Sequence, residues 1–337
     1  MKKAVIAILV SLMLAVWLPA LSETLKSPEE FYKGASVYIS DGAPPASGAG
    51  VAARLFEKYF EKVSGANVVV EYRSGGGGIE GPNVAYVAKP DGLTIGAHMG
   101  EVVASNWLLD EPAVAYDLTK FIPIGAINGA PLGLYVKRDG PYNSLEKLKA
   151  ASNLIVAGAS PRGLISTWPT IAAHLLGLDF KLVAGYRGPP GCKLAVMQEE
   201  AHMMGVGIHT PGLTPDLKPL VLLSSKRHEI LPDVPALPEV IGMTEEGKKM
   251  LEIRDILTPF GPALYLPPGV PQDRVDYLRD VYNKITARDD FISEVKKKVG
   301  IVWGVHHAEE YEKTVEYLAE HKADFIKIMN LVKKYTK

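Results

Sequence analysis

The sequence predicts an α/β protein built as two lobes. Three observations predict it. Short apolar runs of strand length alternate with longer stretches whose apolar residues recur at helical spacing. The loops between them are rich in glycine and proline, with 32 and 25 of these residues in 337. Extended segments near residues 132 and 258 divide the pattern into two cycles, so that a first lobe is left and later rejoined.

The first 22 residues stand apart from this pattern. Lys2 and Lys3 precede an apolar run from Ala4 to Leu18, then Pro19 and the small-residue site Ala20-Leu21-Ser22. This is the plan of an export signal, cleaved after Ser22 to leave Glu23 first. The alternative is an anchor retained in the membrane. Removing residues 1–22, which carry two lysines and no acid, takes the formal charge from −1 to −3. That balance offers no electrostatic case for nucleic acid or an anionic membrane surface. Cys192 is the sole cysteine, so no internal disulfide forms, and no Cys/His spacing suits zinc. An exported chain of this size without disulfides fits a bacterial periplasm.

In order along the chain, residues 36–40 read as a strand, and a helix starts near Ser47. Its apolar residues Val51, Ala52, Leu55, Phe56, Tyr59, Phe60 and Val63 share one face. Residues 67–72 form the second strand, and Gly75 to Gly78 a loop. A short helix spans 83–89 and is stopped by Pro90-Asp91-Gly92, with residues 93–97 as the third strand. A strand at 132–136 leaves the first lobe. The second cycle follows: a strand at 154–157, a loop to Gly163, a helix at 170–176 and a strand at 181–184. A loop at 185–191, a helix at 193–200 and strands at 203–208 and 219–224 complete it. Residues 260–266 return to the first lobe. Val275, Leu278, Tyr282 and Ile285 mark one late helical stripe, and Tyr311, Val315, Leu318, Phe325, Met329 and Val332 another. The lobes expected are 23–131 plus 258–337, and 132–257.

Several motifs carry chemical weight. Ser47-Gly48 opens a helix, where free backbone N–H groups and the positive end of the helix dipole suit a carboxylate; Ser47 also serves as a plain cap. Gly76-x-Gly78-x-x-Gly81 fits a dinucleotide fingerprint, with Glu101 twenty residues further on. It follows the second strand rather than the first and leads into a short helix, which favours a simple close-packed turn. No nucleophile–base set, zincin motif or P-loop lysine is present. His98, His202 and His209 fall at or near strand ends, where one of them faces a cleft or all are structural. Trp107 and Trp168 suit either ligand stacking or packing. Arg187 suits a bidentate carboxylate contact or a surface ion pair.

Taken together, these segments resemble the substrate-binding proteins of tripartite tricarboxylate transporters, the Bug receptors. The resemblance runs from about residue 35 to the C-terminus. It rests on Pro44-Pro45-Ala46-Ser47-Gly48, Arg73 with Gly75 to Gly78 and Gly81, Pro90-Asp91-Gly92, and Asn106. It continues with Tyr186-Arg187-Gly188, with Ser225-Lys226-Arg227 before Leu231-Pro232-Asp233-Val234-Pro235 and Glu239, and with Gly261 to Pro271. Each piece is weak alone; in order and at family spacing they are specific. The resemblance implies the two-lobed periplasmic binding protein (Venus-flytrap) fold with two crossover segments. It also implies a monomeric periplasmic receptor without cofactor or metal. Such a receptor closes on a small organic carboxylate and docks on membrane transporter subunits. Two alternatives are a ligand sensor for a signalling partner and an exported enzyme using the glycine loop.

Ligand-binding positions expected by resemblance are Pro45, Ser47, Gly48, Ala49, Met99, Gly100 and Glu101 in the first lobe. In the second they are Gly163, Ser166, Thr167, Tyr186, Arg187, Gly188 and His202. The chain departs from the family at Gly50 and His202, where acids are usual, and at Met99-Gly100-Glu101. If these line the cleft, it is less acidic and more apolar. A carboxylate with an apolar or aromatic body is then expected over an amino acid or citrate.

Overall fold

The computed structural model describes residues 26–129, 132–159, 163–208, 215–257, 260–299 and 304–336. The expected export signal at residues 1–22 and His209 lie outside the described residues. Helix α1 (Pro28–Tyr32) precedes β1 (Ser36–Asp41), α2 (Gly48–Ser64) and β2 (Asn67–Tyr72). Then come α3 (Glu80–Tyr86), β3 (Thr94–Met99), α4 (Gly100–Leu108) and β4 (Ile122–Ile127). The second cycle holds β5 (Leu132–Lys137), α5 (Leu145–Lys149), β6 (Leu154–Gly158), α6 (Leu164–Leu175), β7 (Phe180–Ala184) and α7 (Gly188–Met197). It continues through β8 (Met203–Gly207), β9 (Leu217–Leu222), α8 (Leu237–Val240) and α9 (Glu245–Leu257). The chain ends with β10 (Pro262–Leu266), α10 (Gln272–Thr286), α11 (Asp289–Lys298), β11 (Val305–His307), α12 (Ala308–Glu320) and α13 (Lys322–Lys333).

Two mixed sheets result, one per lobe. The first has strand order β11-β4-β10-β3-β1-β2, the second β7-β6-β8-β5-β9. In the first, β1 runs parallel to β2 and β3, and the returning β10 is antiparallel to β3 and β4. In the second, β6 runs parallel to β7 and β8.

Helix α2 shows how local sequence builds this frame. Ser47 caps its start by accepting from Gly50 N–H at 3.2 Å, and Gly65 ends it at φ 71°, where a side chain would be strained. Between them Ala52, Leu55, Phe56, Tyr59 and Phe60 are buried against Val37 and Ile39 of β1 and the stripe of α10, in one core on one face of the first sheet. A larger core covers the other face and runs without a break into the second lobe, joining Val103, Phe121 and Tyr265 to Trp168, Leu182 and Leu257.

The two crossing segments lie against each other. A Cβ at Gly261 would sit 2.3 Å from Ile127 O and 2.4 Å from Gly129 N, so only glycine fits there. The sequence reading needs correction in several places. Helix α6 begins at Leu164, not near 170, and runs through Pro169. Helix α7 begins at Gly188, because Pro189 and Pro190 occupy the first turn, where a missing N–H costs nothing. The late stripe belongs to two helices, α12 and α13, broken at His321. Strands β4 and β11 were not anticipated.

The end of the chain also leaves the expected division. Phe325, Ile328 and Val332 of α13 pack in the same core as Ala172 of α6 and Leu176 at its C-terminal cap. Leu182 N–H donates to Tyr335 O at 2.8 Å, and the Tyr335 ring stacks on Phe180 at 4.4 Å. The last residues thus add to the β7 edge of the second sheet. Among the described residues no helix is long and apolar enough to cross a membrane.

Candidate functional site

The site is built where parallel strands end and helices begin. In the first lobe, β1 runs into the 42–47 loop and α2, and β3 runs into α4. In the second, β6 leads to α6 and β7 to α7. These edges face each other. Glu101, in the first turn of α4, accepts a hydrogen bond from Trp168 Nε1 of α6 at 2.9 Å. Open α/β sheets place ligands at such carboxyl edges, because the helix N-termini there present unsatisfied N–H groups.

The α2 terminus is the most open of them. Ser47 Oγ is engaged, donating to Pro44 O at 2.8 Å and accepting from Gly50 N–H. The amides of Gly48 and Ala49 have no acceptor among the described residues. Gly48 and Pro45 are exposed, whereas Ala49 is buried. A small cavity of about 10 Å³, room for roughly one water, adjoins this turn between Ala49, Ala53 and Phe56 of α2, Ala97 and His98 of β3, and Pro262 to Leu264 of β10.

At the α4 terminus the amides are taken. Gly100 N–H donates to Gly261 O at 2.8 Å, and Glu101 N–H to Phe260 O at 3.0 Å. Met99 is half-buried at the cap position. The Glu101 side chain is also taken: beyond Trp168, its carboxylate lies 3.5 Å from Arg254 Nη1, and both side chains are buried. Burial raises the Glu101 carboxyl above its ordinary range, with Arg254 and the Trp168 hydrogen bond opposing. Glu101, expected as a ligand contact, is thus engaged within the protein at both its amide and its carboxylate. The same bond engages Trp168, and Trp107 lies under Lys322 at 4.8 Å, so both rings are in packing roles.

In the second lobe Gly163 caps α6 and its carbonyl accepts from the amides of Ser166 and Thr167. The Ser166 and Thr167 hydroxyls are buried without a partner among the described residues. Ser166 Oγ sits over Gly158, where a Cβ would be 2.2 Å away. Tyr186 N–H donates to Gly158 O at 3.2 Å, which holds the 185–188 loop beside β6, and Gly185 and Gly188 take φ 118° and 62°. Arg187 is exposed at the head of α7 and makes no ion pair among the described residues.

His202 does not join this group. It precedes β8, at the opposite end of the sheet from Gly163 and Tyr186. There its Nδ1 accepts from Ile155 N–H at 2.8 Å, its ring packs on Tyr142 at 4.9 Å, and burial lowers its pKa. Gly50 opens no space either: a Cβ there would lie 2.3 Å from Pro44 O. Of the departures behind the apolar-ligand expectation, His202 thus lies away from the α2 terminus, and Gly50 adds no room beside it.

Two residues here, Asp41 and Arg254, went unread in the sequence, and His98 was read only loosely. Asp41 ends β1 fully buried, accepts from Ala43 N–H at 2.9 Å, and is pushed up to about 7 by desolvation. Its second oxygen has no partner among the described residues. His98 near the end of β3, read only as one of three candidate histidines, is buried beside Gly42 and Gly78 and lowered to about 4 by desolvation. Arg254 carried no local signal beyond lying on the apolar side of α9. Among the described residues no group of His, Cys, Asp and Glu is arranged to hold a metal ion.

Two α/β lobes with facing strand ends, joined by adjacent crossing segments, define a two-lobed solute-binding protein. The family described as Tripartite tricarboxylate transporter family receptor matches residues 52–331, and the chain belongs to it. A protein of Pseudomonas sp. (strain P51), described as a UPF0065 protein in the tcbD-tcbE intergenic region, is 26% identical over 267 residues, covering 77% of this chain and 75% of that one. The solved structure of MatC from Rhodopseudomonas palustris with bound malate superposes with a TM-score of 0.65 at 21% identity, over 88% of this chain and 98% of that one. An R. palustris protein with adipate gives 0.68 at 18% identity, over 88% and 97%. A TctC solute-binding protein from Polaromonas gives 0.63 at 19%, over 88% and 97%. These structures share the fold.

Proposed function

We propose that this chain is an exported receptor that captures a small organic carboxylate between its lobes and presents it to the membrane subunits of a tripartite transporter. The observation that carries the reading is the α2 terminus: Gly48 and Ala49 have two amides without an acceptor among the described residues, at the positive end of a 17-residue helix. An anion held there needs no lysine or arginine. Family membership supports the receptor role. The malate and adipate held by two proteins of the same fold support a carboxylate ligand.

In this reading one carboxylate docks on the amides of Gly48 and Ala49. The far end of the ligand meets Ser166, Thr167 and the 185–188 loop, with Arg187 as the available cation. The lobes close because the closed form contacts the ligand on both sides and so binds it more tightly. The role is binding rather than catalysis, and the protein acts in the periplasm after its leader is removed.

Thermal-shift screening of the mature protein against mono-, di-, tri- and aromatic carboxylates tests this. A ligand at about a hundred times its Kd adds about 2.7 kcal/mol to stability and raises Tm by a few degrees. Calorimetric titration of the responders should give one site per chain. Silence across the whole panel from a folded protein would count against the carboxylate reading.

A further inference from the structure

We propose that Glu101, Trp168 and Arg254 form a clasp that sets the resting angle between the two lobes, and through that angle the ligand affinity, without touching the ligand. The effect on affinity rests on the receptor reading above; the effect on lobe angle does not.

The three residues come from three helices. Glu101 lies in the first turn of α4, directly after β3 of the first sheet. Trp168 lies in α6, after β6 of the second. Arg254 lies in the last turn of α9, just before the crossing segment that returns to the first lobe. One carboxylate oxygen, Glu101 Oε1, takes both the Trp168 hydrogen bond at 2.9 Å and the Arg254 contact at 3.5 Å. The Arg254 guanidinium also lies 5.4 Å from the centre of the Trp168 ring. The exposures are low, 1% for the Arg254 side chain and 7% for Glu101, so water screens the pair little.

The backbone of the same residues is fastened too. Gly100 and Glu101 donate to the carbonyls of Gly261 and Phe260 in the crossing segment. Glu101 therefore grips the crossover with its amide and the second lobe with its carboxylate. Rotation about the crossing segment, to which Glu101 is fastened, turns its carboxylate relative to Trp168 and Arg254 and breaks the shared geometry at Oε1. A Glu101 carboxylate drawn away from Trp168 and Arg254 must be hydrated or stay costly, which favours two discrete arrangements over a graded one. No ligand is needed for the clasp to hold, so it biases the lobe angle before binding. A ligand that selects the closed form gains affinity from that bias.

Two variants test the proposal. Glu101→Gln keeps an acceptor for Trp168 and removes the charge. The double variant Glu101→Met with Arg254→Met removes both charges of the pair. Circular dichroism and thermal unfolding establish folding, and small-angle X-ray scattering of the ligand-free protein reads the lobe angle. The expected result is a folded double variant with a larger radius of gyration than wild type, and about tenfold weaker binding of the carboxylate that the screen selects. Wild-type scattering from a folded double variant overturns the proposal. Failure of both variants to fold also overturns it, since the cluster is then a folding element. A changed scattering profile, with no carboxylate bound by wild type or variant, supports the clasp and sinks the carboxylate reading.

Discussion

At the scale of single residues, glycine does two different jobs at the α2 terminus. A Cβ at Gly48 would meet only Val299 Cγ1 at an ordinary 3.6 Å, whereas one at Gly50 would meet Pro44 O at 2.3 Å. Gly48→Val should therefore fold normally yet crowd the two free amides. Ligand affinity is expected to fall on the order of tenfold, about 1.4 kcal/mol, by calorimetry. Gly50→Asp should instead cost stability, on the order of 2 kcal/mol or more in denaturant unfolding, because backbone occupies the space.

Asp41 and His98 give opposite pH signatures. The Asp41 carboxyl is raised from 3.8 to about 7, so the folded state holds its proton more tightly than the unfolded chain. The resulting penalty is complete above pH 7 and is relieved as pH falls toward 4, by up to roughly 4 kcal/mol. His98 is lowered from 6.5 to about 4, so its neutral form favours folding above pH 6.5, and that advantage is lost as pH falls toward 4. Wild-type Tm should rise from pH 8 to about 6.5 and then level off. Asp41→Asn should abolish the rise, and His98→Gln should extend it to lower pH. A Tm profile unaltered by both substitutions would show that neither group governs this window.

At the scale of elements, the informative cases are helix starts and the C-terminal strap. Ser47 was readable as a cap from its position before an apolar periodic run. Its loss in Ser47→Ala should cost about 1 kcal/mol in chemical denaturation. The start of α6 was not readable, because Pro169 argues locally for a boundary. The buried run of Ser166, Thr167 and Trp168 overrides it by packing. The strap at Tyr335 has no local signal at all. It combines a stacked ring on Phe180 with a hydroxyl 2.7 Å from His174 Nδ1. Tyr335→Ala should lower stability by about 2 kcal/mol, measured by urea unfolding.

At the scale of the whole molecule, the unbroken core between the lobes limits how they move. In the receptor reading proposed above, closure pivots at the paired crossing segments, where Gly261 lies on Ile127–Gly129, and not at the packed side near α12 and α13. Export is the other whole-molecule expectation. N-terminal sequencing of the protein secreted by its host should begin at or near Glu23, and a mature form that keeps Met1 and pellets with membranes would refute it.

The sequence by itself determined the α/β class, the order of most strands, the α2 cap and the family resemblance. All of these rest on signals within a few residues of one another: alternation, helical spacing, caps and glycine–proline turns. Only the tertiary structure decided which polar groups lie at the same end of each sheet. His202 and Tyr186 both read as loop-edge residues, yet they sit at opposite ends of one sheet, because β8 runs parallel to β6 and carries His202 at its start. Glu101 read as a cleft contact, and it became the partner of a tryptophan 67 residues away. Burial and pairing at that range depend on how the helices pack between the two sheets, and no local pattern encodes that.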